Sequence, residues 1–441
     1  MPRSGLAAVL AAVAAAAGCS DGDTLIDGRF TDAEWDLISS LSPLSAVLPD
    51  PTNRFAEDER AVALGHALFF DARAAGPLLV GDDGQNGGLG QMGETGKIAC
   101  VSCHAPESTW LDDIRSKPGN VSLGAGFGKR NAPPVVNAAF YRWFGWAGQS
   151  DTLWQQAIST VELTVSMNSS RLAVAHLLHD HYKADYQAIF GPIDPRFDPA
   201  NPGAGAFPPT GKPPEPVWNA MPAEDQEIVN QMMVAYGKAI AAYERKLVSR
   251  DAPFDRYVAG DTAAISDAAK RGLKLFIGVG GCVGCHNTPL FSDNEFHNSG
   301  VPQGGPHVPT DDLGRYGAAM ALPMDPFNSE GRFSDGHPGL IVGLQPTEVM
   351  KGQFRTKHLR QIAETGPYTH TGGFATLRDV IENYNAGGGT SGSFPGTLDP
   401  RIRPLNLDDH DIDDLVAFLG TLTGAPVDPA LIASPPVTPP P

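Results

Sequence analysis

The chain has 441 residues, of which 41% are hydrophobic, so it can bury the core of one large or two medium-sized globular domains. Its formal net charge of −18 argues against a nucleic-acid-binding protein, because binding to phosphates relies on an excess of Lys and Arg. The acidic charge is compatible with a basic protein partner or with solubility alone. Fifty glycines and 39 prolines exceed average usage and predict long, irregular loops.

The N-terminus has the pattern of an export signal. A positive charge precedes an apolar run over residues 6–17, which is too short to span a bilayer. The run ends at Gly18-Cys19, which resembles a bacterial lipoprotein cleavage site with Cys19 as the lipidated residue. We therefore predict a lipoprotein-type signal peptide over 1–19, a tether over 20–54, and a periplasmic or cell-envelope location with a lipid anchor at Cys19. A plain cleaved signal is the alternative.

Hydrophobic periodicity predicts a mainly helical fold, and no segment has a convincing strand pattern. The clearest amphipathic helix of the first half covers residues 227–247, and a helix capped by Ser266 opens the second half. Gly- and Pro-rich composition predicts loops over 76–96, 191–216 and 300–350. The seven predicted helices are 61–70, 151–161, 170–190, 227–247, 266–276, 377–384 and 407–419.

Cysteine spacing gives the sharpest constraint. Apart from Cys19, all cysteines lie in two Cys-x-x-Cys-His motifs. This is the signature of c-type haem attachment, in which two thiols add to the vinyl groups of one porphyrin and the adjacent His ligates the iron. Zinc is the rival ligand, but a structural zinc site needs four ligands and each motif offers three. We therefore predict two haem c groups, attached through Cys100, Cys103, Cys282 and Cys285, with His104 and His286 as proximal iron ligands.

The order of helix, haem motif, loops and terminal helix occurs twice along the chain. This repetition predicts two cytochrome c-like haem domains related by pseudo-duplication, mainly α-helical and joined by long irregular loops. We place the N-terminal haem domain at 55–250 and the C-terminal haem domain at 251–425. A Pro-rich tail over 426–441 is predicted to be disordered.

The first haem has no obvious distal ligand. Residues 105–130 contain neither His nor Met, so this iron is predicted to be five-coordinate and open to peroxide. His176, His179 and His181 are candidates further along the chain. They lie on a charged helix, and a solvent-facing position is the simpler interpretation.

Five segments carry a family resemblance: ALGHALFFD (63–71), RNAP (130–133), FYR (140–142) with Trp146, SRDAPFDRY (249–257) and FRT (354–356) through Tyr384. They resemble the bacterial di-haem cytochrome c peroxidase and MauG family, in which the first haem domain is peroxidatic and the second transfers electrons. The resemblance extends over about residues 55–422 and implies an enzyme that reduces hydrogen peroxide with electrons from a small redox protein, a cytochrome c or a cupredoxin. One alternative is a MauG-like enzyme that uses peroxide to oxidise a residue on a partner protein. The other is a non-catalytic di-haem electron carrier.

The resemblance also implies a second axial ligand for the second haem. In the family this ligand lies 14 positions after the His of a Pro-Tyr-x-His segment, here His370, which gives Tyr384. Peroxidases of the family have Met at this place, whereas the MauG branch has Tyr. Tyr384 is the predicted ligand, and a purely structural Tyr is the alternative. The methionines that remain as other candidates are Met320, Met324 and Met350.

Further residues match family positions between the two haem units. Trp146 matches the tryptophan that lies between the haems and assists electron sharing, although a buried structural Trp would give the same sequence. Asn131 matches a side-chain ligand of a calcium ion, and Thr365 and Pro367 match residues that offer backbone carbonyls to the same ion. Oxygen ligands suit calcium.

The chain departs from the family at the site of peroxide cleavage. The family has a Gln and, ten positions later, a Glu that shuttles a proton as the O–O bond breaks. Gln156 matches the first residue, but the second position is Ser166, which is no comparable acid or base near neutral pH. Glu162 is the candidate that could replace the missing carboxylate.

Overall fold

The computed structural model of the protein describes residues 25–84, 88–108, 113, 119–389 and 394–435. These residues form a mainly helical fold, as predicted, with one short antiparallel pair of strands, β1 (Phe296–His297) and β2 (Phe354–Arg355). Within these ranges no helix is both long and apolar enough to cross a membrane. The predicted signal peptide, including Cys19, lies outside the described residues.

All seven predicted helices are present, with ends that differ by a few residues. The further helices in the described part of the chain have four to nine residues each. In chain order the helices are α1 (Asp32–Ser40), α2 (Glu59–Phe70), α3 (Leu153–Glu162), α4 (Arg171–Phe190), α5 (Pro216–Asn219), α6 (Ala223–Glu244), α7 (Pro253–Val258), α8 (Asp267–Ile277), α9 (Arg315–Ala321), α10 (Leu377–Asn385), α11 (Asp409–Gly420) and α12 (Pro429–Ile432).

The first hydrophobic core surrounds α6, against which α2, α3 and α4 pack. Helix α6 is buried along most of its length, and Val229, Met233 and Ile240 are among its core residues. Helix α2 crosses α6 closely because Gly65 faces the Ala239 carbonyl, where a Cβ atom would overlap the oxygen. The end of α2 is thereby brought to the first haem motif.

The second core forms where α8 and α11 cross, and the second haem motif follows the end of α8. Gly272 of α8 lies against the Asp414 carbonyl of α11, so a larger residue would force the helices apart. Phe276 and Phe418 pack at this crossing with 5.1 Å between ring centroids. The two motifs thus stand on separate cores. The relation of the two halves by duplication stays a prediction.

The segment 20–54, predicted to be a tether, contains α1 packed on the second core. The helix begins with a capping box between Thr31 and Glu34, and Ile38 and Leu41 are fully buried. The tether prediction is therefore wrong for this part of the segment. Its few apolar residues are spaced to face one core, although they are too few for a clear periodicity.

The tail predicted to be disordered is ordered as far as residue 435. Val427 is buried in the first core, and α12 follows it. The Tyr243 hydroxyl donates to the Leu431 carbonyl at 2.6 Å, and His66 Nε2 lies 2.9 Å from the Ala433 carbonyl. Apolar residues between the prolines explain this packing. Residues 436–441 lie outside the described part of the chain.

Candidate haem sites and the region between them

The first haem motif begins with a single 3₁₀ turn, Cys100–Ser102, and the His104 amide donates to the Cys100 carbonyl at 3.0 Å. This turn keeps the two thiols and the imidazole close together, as attachment of one porphyrin requires. The His104 ring lies 6.1 Å from the ring of Phe69 near the end of α2. The first core therefore supplies an apolar contact beside the predicted iron ligand.

The second motif has the same local geometry. Cys282–Gly284 form a 3₁₀ turn, and the His286 amide donates to the Cys282 carbonyl at 3.0 Å. His286 Nδ1 hydrogen-bonds the Phe291 carbonyl at 2.7 Å, which leaves Nε2 to face an iron atom. Burial lowers the pKa of His286, and the neutral imidazole is the form that ligates a metal.

The second motif also has acidic and imidazole neighbours. The ligand atoms of Cys285, Asp293 and His297 lie within 4.8 Å of one another. His297 is bonded on both ring nitrogens, to Asp293 at 2.8 Å and to Asp399 at 3.0 Å. Because Cys285 belongs to a Cys-x-x-Cys-His motif, we prefer haem attachment as the role of its thiol.

Tyr384 lies near the end of α10, and its phenol hydrogen-bonds Ser299 close to the second motif. Burial and the nearby thiols of that motif raise the pKa of Tyr384. By contrast, Met320 and Met324 are 55% and 82% exposed. The structure therefore brings Tyr384 to the second haem motif.

Trp146 lies between the two halves of the chain and is bonded to both. Its indole Nε1–H donates to the Asn131 carbonyl at 2.7 Å, and its own carbonyl accepts from the Arg355 amide at 2.7 Å. Its ring lies 6.2 Å from that of His370, and Lys357 Nζ is 5.2 Å from the ring centroid. These contacts fix the indole at the junction of the two units.

Among the described residues, no carboxylate forms an ion pair with the buried basic groups of Arg355 and Lys357 near Trp146. Within that part of the chain, Arg355 Nε and Nη1, Lys357 Nζ and His358 Nδ1 also have no hydrogen-bond partner. Burying unpaired charges is costly, so this arrangement implies an anion that these residues bind. The propionate groups of haem are carboxylates and provide such charge. The buried cations, together with the thiols and imidazoles of the two motifs, therefore fit haem groups.

Ser166, which stands at a family position on the distal side, lies near the first motif. Ser166 follows α3, the helix that carries Gln156, and the Ser166 carbonyl accepts from the Ala125 amide at 2.6 Å. The same stretch of chain contacts the motif, because Cys103 Sγ lies 3.7 Å from the Leu123 carbonyl. The structure thus places Ser166 beside the segment that contacts the first haem motif.

Glu162 does not suit the proton-transfer role considered for it. Its Oε1 is 3.0 Å from Arg171 Nε in a largely buried ion pair, and Arg171 Nη1 also donates to Asn230 Oδ1 at 2.8 Å. Burial raises the pKa of Glu162, and the charge of Arg171 opposes that rise. A carboxylate held by a fixed guanidinium is poorly placed to exchange protons with peroxide. Glu162 is therefore better explained as a structural residue.

Two of the three predicted calcium ligands are in contact. The Asn131 amide nitrogen donates to the Pro367 carbonyl at 3.0 Å, and Asn131 Oδ1 accepts from Ser122 Oγ at 3.0 Å. Thr365 precedes the same Gly-Pro turn. A calcium ion needs oxygen ligands, so the Asn131 amide would have to turn over to present Oδ1 beside the carbonyl. Calcium stays a prediction.

Comparisons with known proteins agree with this geometry. The family model for di-haem cytochrome c peroxidase matches residues 59–263. Cytochrome-c peroxidase IdrP1 of Denitromonas iodatirespirans is 34% identical over 427 residues, which cover 95% of this chain and 92% of that protein. The chain belongs to the di-haem cytochrome c peroxidase family.

Two further relatives show the breadth of this family. Methylamine utilization protein MauG of Methylorubrum extorquens is 30% identical over 369 residues, covering 83% of this chain and 78% of that protein. The crystal structure of the diheme peroxidase BthA from Burkholderia thailandensis matches the fold with a TM-score of 0.61 and 22% identity, over 88% of this chain and 91% of that one. Membership in the family makes the protein a peroxidase-type oxidoreductase with two haem groups.

The buried cations are the functional residues that sequence reasoning missed. Residues 354–360 read Phe-Arg-Thr-Lys-His-Leu-Arg, a composition typical of a solvated surface. In the structure Arg355, Lys357 and His358 are instead turned into the junction. The one feature of the sequence that could have indicated their burial is the lack of any Asp or Glu within this basic segment.

Proposed function

We propose that this protein reduces hydrogen peroxide by two electrons at the haem site of His104. The electrons come from a small periplasmic redox protein and pass through the haem site of His286. The observation that carries the proposal is the position of Trp146, which is hydrogen-bonded to both halves of the chain. A tryptophan that only filled one core would not need these contacts.

The two halves offer different axial ligands. No His or Met occurs between His104 and Arg130, so the first iron keeps one face open, whereas Tyr384 stands near the second motif. When bound, a haem with an open face activates peroxide, and one with two axial ligands transfers electrons. The peroxide site is therefore assigned to the first half and electron entry to the second.

Gln156 orients the peroxide in this proposal. Its amide nitrogen donates to Thr160 Oγ1 at 2.8 Å, which leaves the amide oxygen to accept a hydrogen bond from the substrate. Ser166 cannot hold a proton as a carboxylic acid does, so a water molecule between the two side chains carries the proton. We therefore expect slower peroxide cleavage than in relatives that have Glu at this position.

A second candidate function is MauG-like, in which peroxide serves to oxidise a residue on a partner protein. Tyr384 favours it, because a phenolate ligand donates charge to iron and stabilises its oxidised forms. Addition of peroxide to the resting ferric protein separates the two candidates. An immediate spectral change at both haems supports the MauG-like function, and a requirement for prior one-electron reduction supports the peroxidase.

The proposed electron path is tested by peroxide-dependent oxidation of a reduced small cytochrome c. Trp146→Phe should slow this reaction by about tenfold or more without changing haem content. Trp218→Phe is the matched control, because Trp218 is buried in the first core beside Arg171. An unchanged rate in Trp146→Phe would exclude the path.

Fully low-spin ferric signals at both haems would favour an electron carrier without catalysis.

We also propose export of the protein, a lipid anchor at Cys19, and a calcium ion at Asn131, Thr365 and Pro367. The anchor is supported by the signal pattern, and calcium by the contact between Asn131 and Pro367. A Cys19→Ala change should release the protein from the membrane fraction. Elemental analysis of the purified protein should find one calcium per chain, and Asn131→Ala should lose it.

A further inference from the structure

We propose that Tyr182 is a redox-active tyrosine that is oxidised during peroxide turnover, with Asp71 as the acceptor of its phenolic proton. The inference rests on the proposed peroxide chemistry and adds a second outlet for its oxidising equivalents. This outlet lies in the first half of the chain, away from Trp146.

The phenol of Tyr182 is held by a carboxylate and a guanidinium. The Tyr182 hydroxyl donates to Asp71 Oδ2 at 2.8 Å, and Arg73 Nη2 donates to the phenol oxygen at 3.2 Å. Arg73 also holds both oxygens of Asp71. The side chain of Asp71 is nearly buried, with 6% of it exposed. The proton of Tyr182 thus points at a fixed, largely dehydrated acceptor.

Helix α4 is distorted at this contact. Tyr182 has φ −132° and ψ 19°, which is not helical and interrupts α4 at this residue. The neighbouring residues continue the helix on both sides. The break coincides with the one tyrosine of α4 that bonds to Asp71, so local geometry is adjusted at the proposed redox group.

Tyr182 and its partners Asp71 and Arg73 lie in the part of the first core that adjoins the first haem motif. Asp71 comes two residues after Phe69, whose ring contacts that of His104 at 6.1 Å. Tyr236, which is 1% exposed, is close enough to the first motif, Asp71 and Tyr182 to interact with each of them electrostatically. The electron of Tyr182 can therefore move towards the first motif, with Tyr236 as an intermediate aromatic group.

The protonation states suit a coupled loss of proton and electron. Burial raises the pKa of Tyr182, so the phenol keeps its proton at neutral pH. Burial also acts to raise the pKa of Asp71, but hydrogen bonds, chiefly from Arg73, outweigh it and hold the pKa below its usual value. Asp71 is therefore ionised and able to accept a proton.

The proposed step conserves protons and electrons. The O–H bond of Tyr182 breaks, its proton moves to Asp71 Oδ2, and its electron reduces the site that peroxide has oxidised. A neutral tyrosyl radical and a protonated Asp71 remain. One electron from an external donor and the proton returned by Asp71 restore the phenol.

The experiment mixes the purified di-haem protein with one equivalent of hydrogen peroxide and freezes it rapidly for EPR. We expect a tyrosyl radical whose spectrum narrows when the protein contains ring-deuterated tyrosine. Tyr182→Phe should lose this signal and keep its haem content. Tyr186→Phe, one helical turn further, is the matched control and should keep it, because Tyr186 packs against Phe190. Asp71→Asn, which removes the proton acceptor, should lower the radical yield.

A full tyrosyl signal in Tyr182→Phe would overturn the proposal. So would wild-type protein that consumes peroxide without a tyrosyl signal, and the proposed function would then still stand. If the protein neither consumes peroxide nor changes its haem spectrum, the proposed function itself fails. If Tyr182→Phe does not fold, the radical is trapped in the wild-type protein, and peptide mass spectrometry identifies the residue that carries the adduct. A trapped adduct on Tyr182 supports the proposal, and adducts only at other residues exclude it.

Discussion

Arg315 Nη1 donates to the Gly148 carbonyl at 2.9 Å and so holds the turn that follows Trp146. The guanidinium lies between the rings of Trp143 and Phe296, 4.1 Å from each centroid. Because Arg315 belongs to α9 in the second half of the chain, it fixes a turn of the first half from outside. Arg315 is thus a positioning residue for the indole between the two motifs.

Replacing Arg315 should disturb electron transfer between the halves. We expect Arg315→Leu to lower the free energy of unfolding by about 1–3 kcal/mol, because carbonyl hydrogen bonds and cation–π contacts are lost. Oxidation of a reduced cytochrome c should slow, whereas the first response of the ferric protein to peroxide should persist. Arg332→Leu is the control, since Arg332 also lies over a phenylalanine ring but is exposed. Equal donor oxidation in wild type and Arg315→Leu would contradict the positioning role.

Glu162 should matter for stability rather than for peroxide cleavage. Glu162→Gln leaves the buried Arg171 without its charged partner, and we expect a loss of about 2–4 kcal/mol in the free energy of unfolding. The pH dependence of peroxide consumption should stay that of the wild type. Gln156→Ala should behave in the opposite way, with slower peroxide consumption and a small change in stability. A change in the pH profile of Glu162→Gln would restore Glu162 as a proton carrier.

Tyr384→Phe should change the ligand set of the second haem alone. The low-spin ferric EPR signal of that haem should be replaced by a high-spin signal, because phenylalanine cannot ligate iron. Tyr316→Phe is the control, since Tyr316 packs against Lys351 on a different segment. Retention of the low-spin signal in Tyr384→Phe would show that another residue is the ligand.

Glu244 should make stability depend on pH. Burial raises the pKa of this carboxyl from 4.5 to about 8, and the side chain is 5% exposed. Between these values the folded protein keeps a proton that the unfolded chain has released, so each pH unit costs about 1.4 kcal/mol of stability. The stability contributed by the protonated Glu244 carboxyl is fully present below the pKa of this group in the unfolded chain. It is lost as the pH rises through about 8, the pKa in the folded protein.

The variant Glu244→Gln should remove this dependence. Relative to the wild type, it should gain about 2–4 kcal/mol in the free energy of unfolding between pH 5 and pH 8, measured by guanidinium denaturation. Glu224→Gln, at an exposed position on the same helix, should show no such gain. Parallel stability curves for wild type and Glu244→Gln would refute the assignment.

Short sequence patterns predicted those features of the structure that are determined by residues close together in the chain. The haem motifs, the long helices and the approach of Tyr384 to the second motif followed from spacing or from family resemblance. The packing of α1 did not, because its core residues are few and their partners lie more than two hundred positions away. The role of Arg355 and Lys357 did not either, since buried and solvated cations look alike in a sequence.

Each end of the folded chain packs against the core of the other half of the sequence. Helix α1, near the N-terminus, completes the core that carries the second motif, and the segment around α12, near the C-terminus, covers the core of the first. A single cut between the halves would therefore leave each fragment without one piece of its own interior. The two haem units should unfold and refold as a single cooperative body, and neither half should be obtainable as a stable protein by simple truncation.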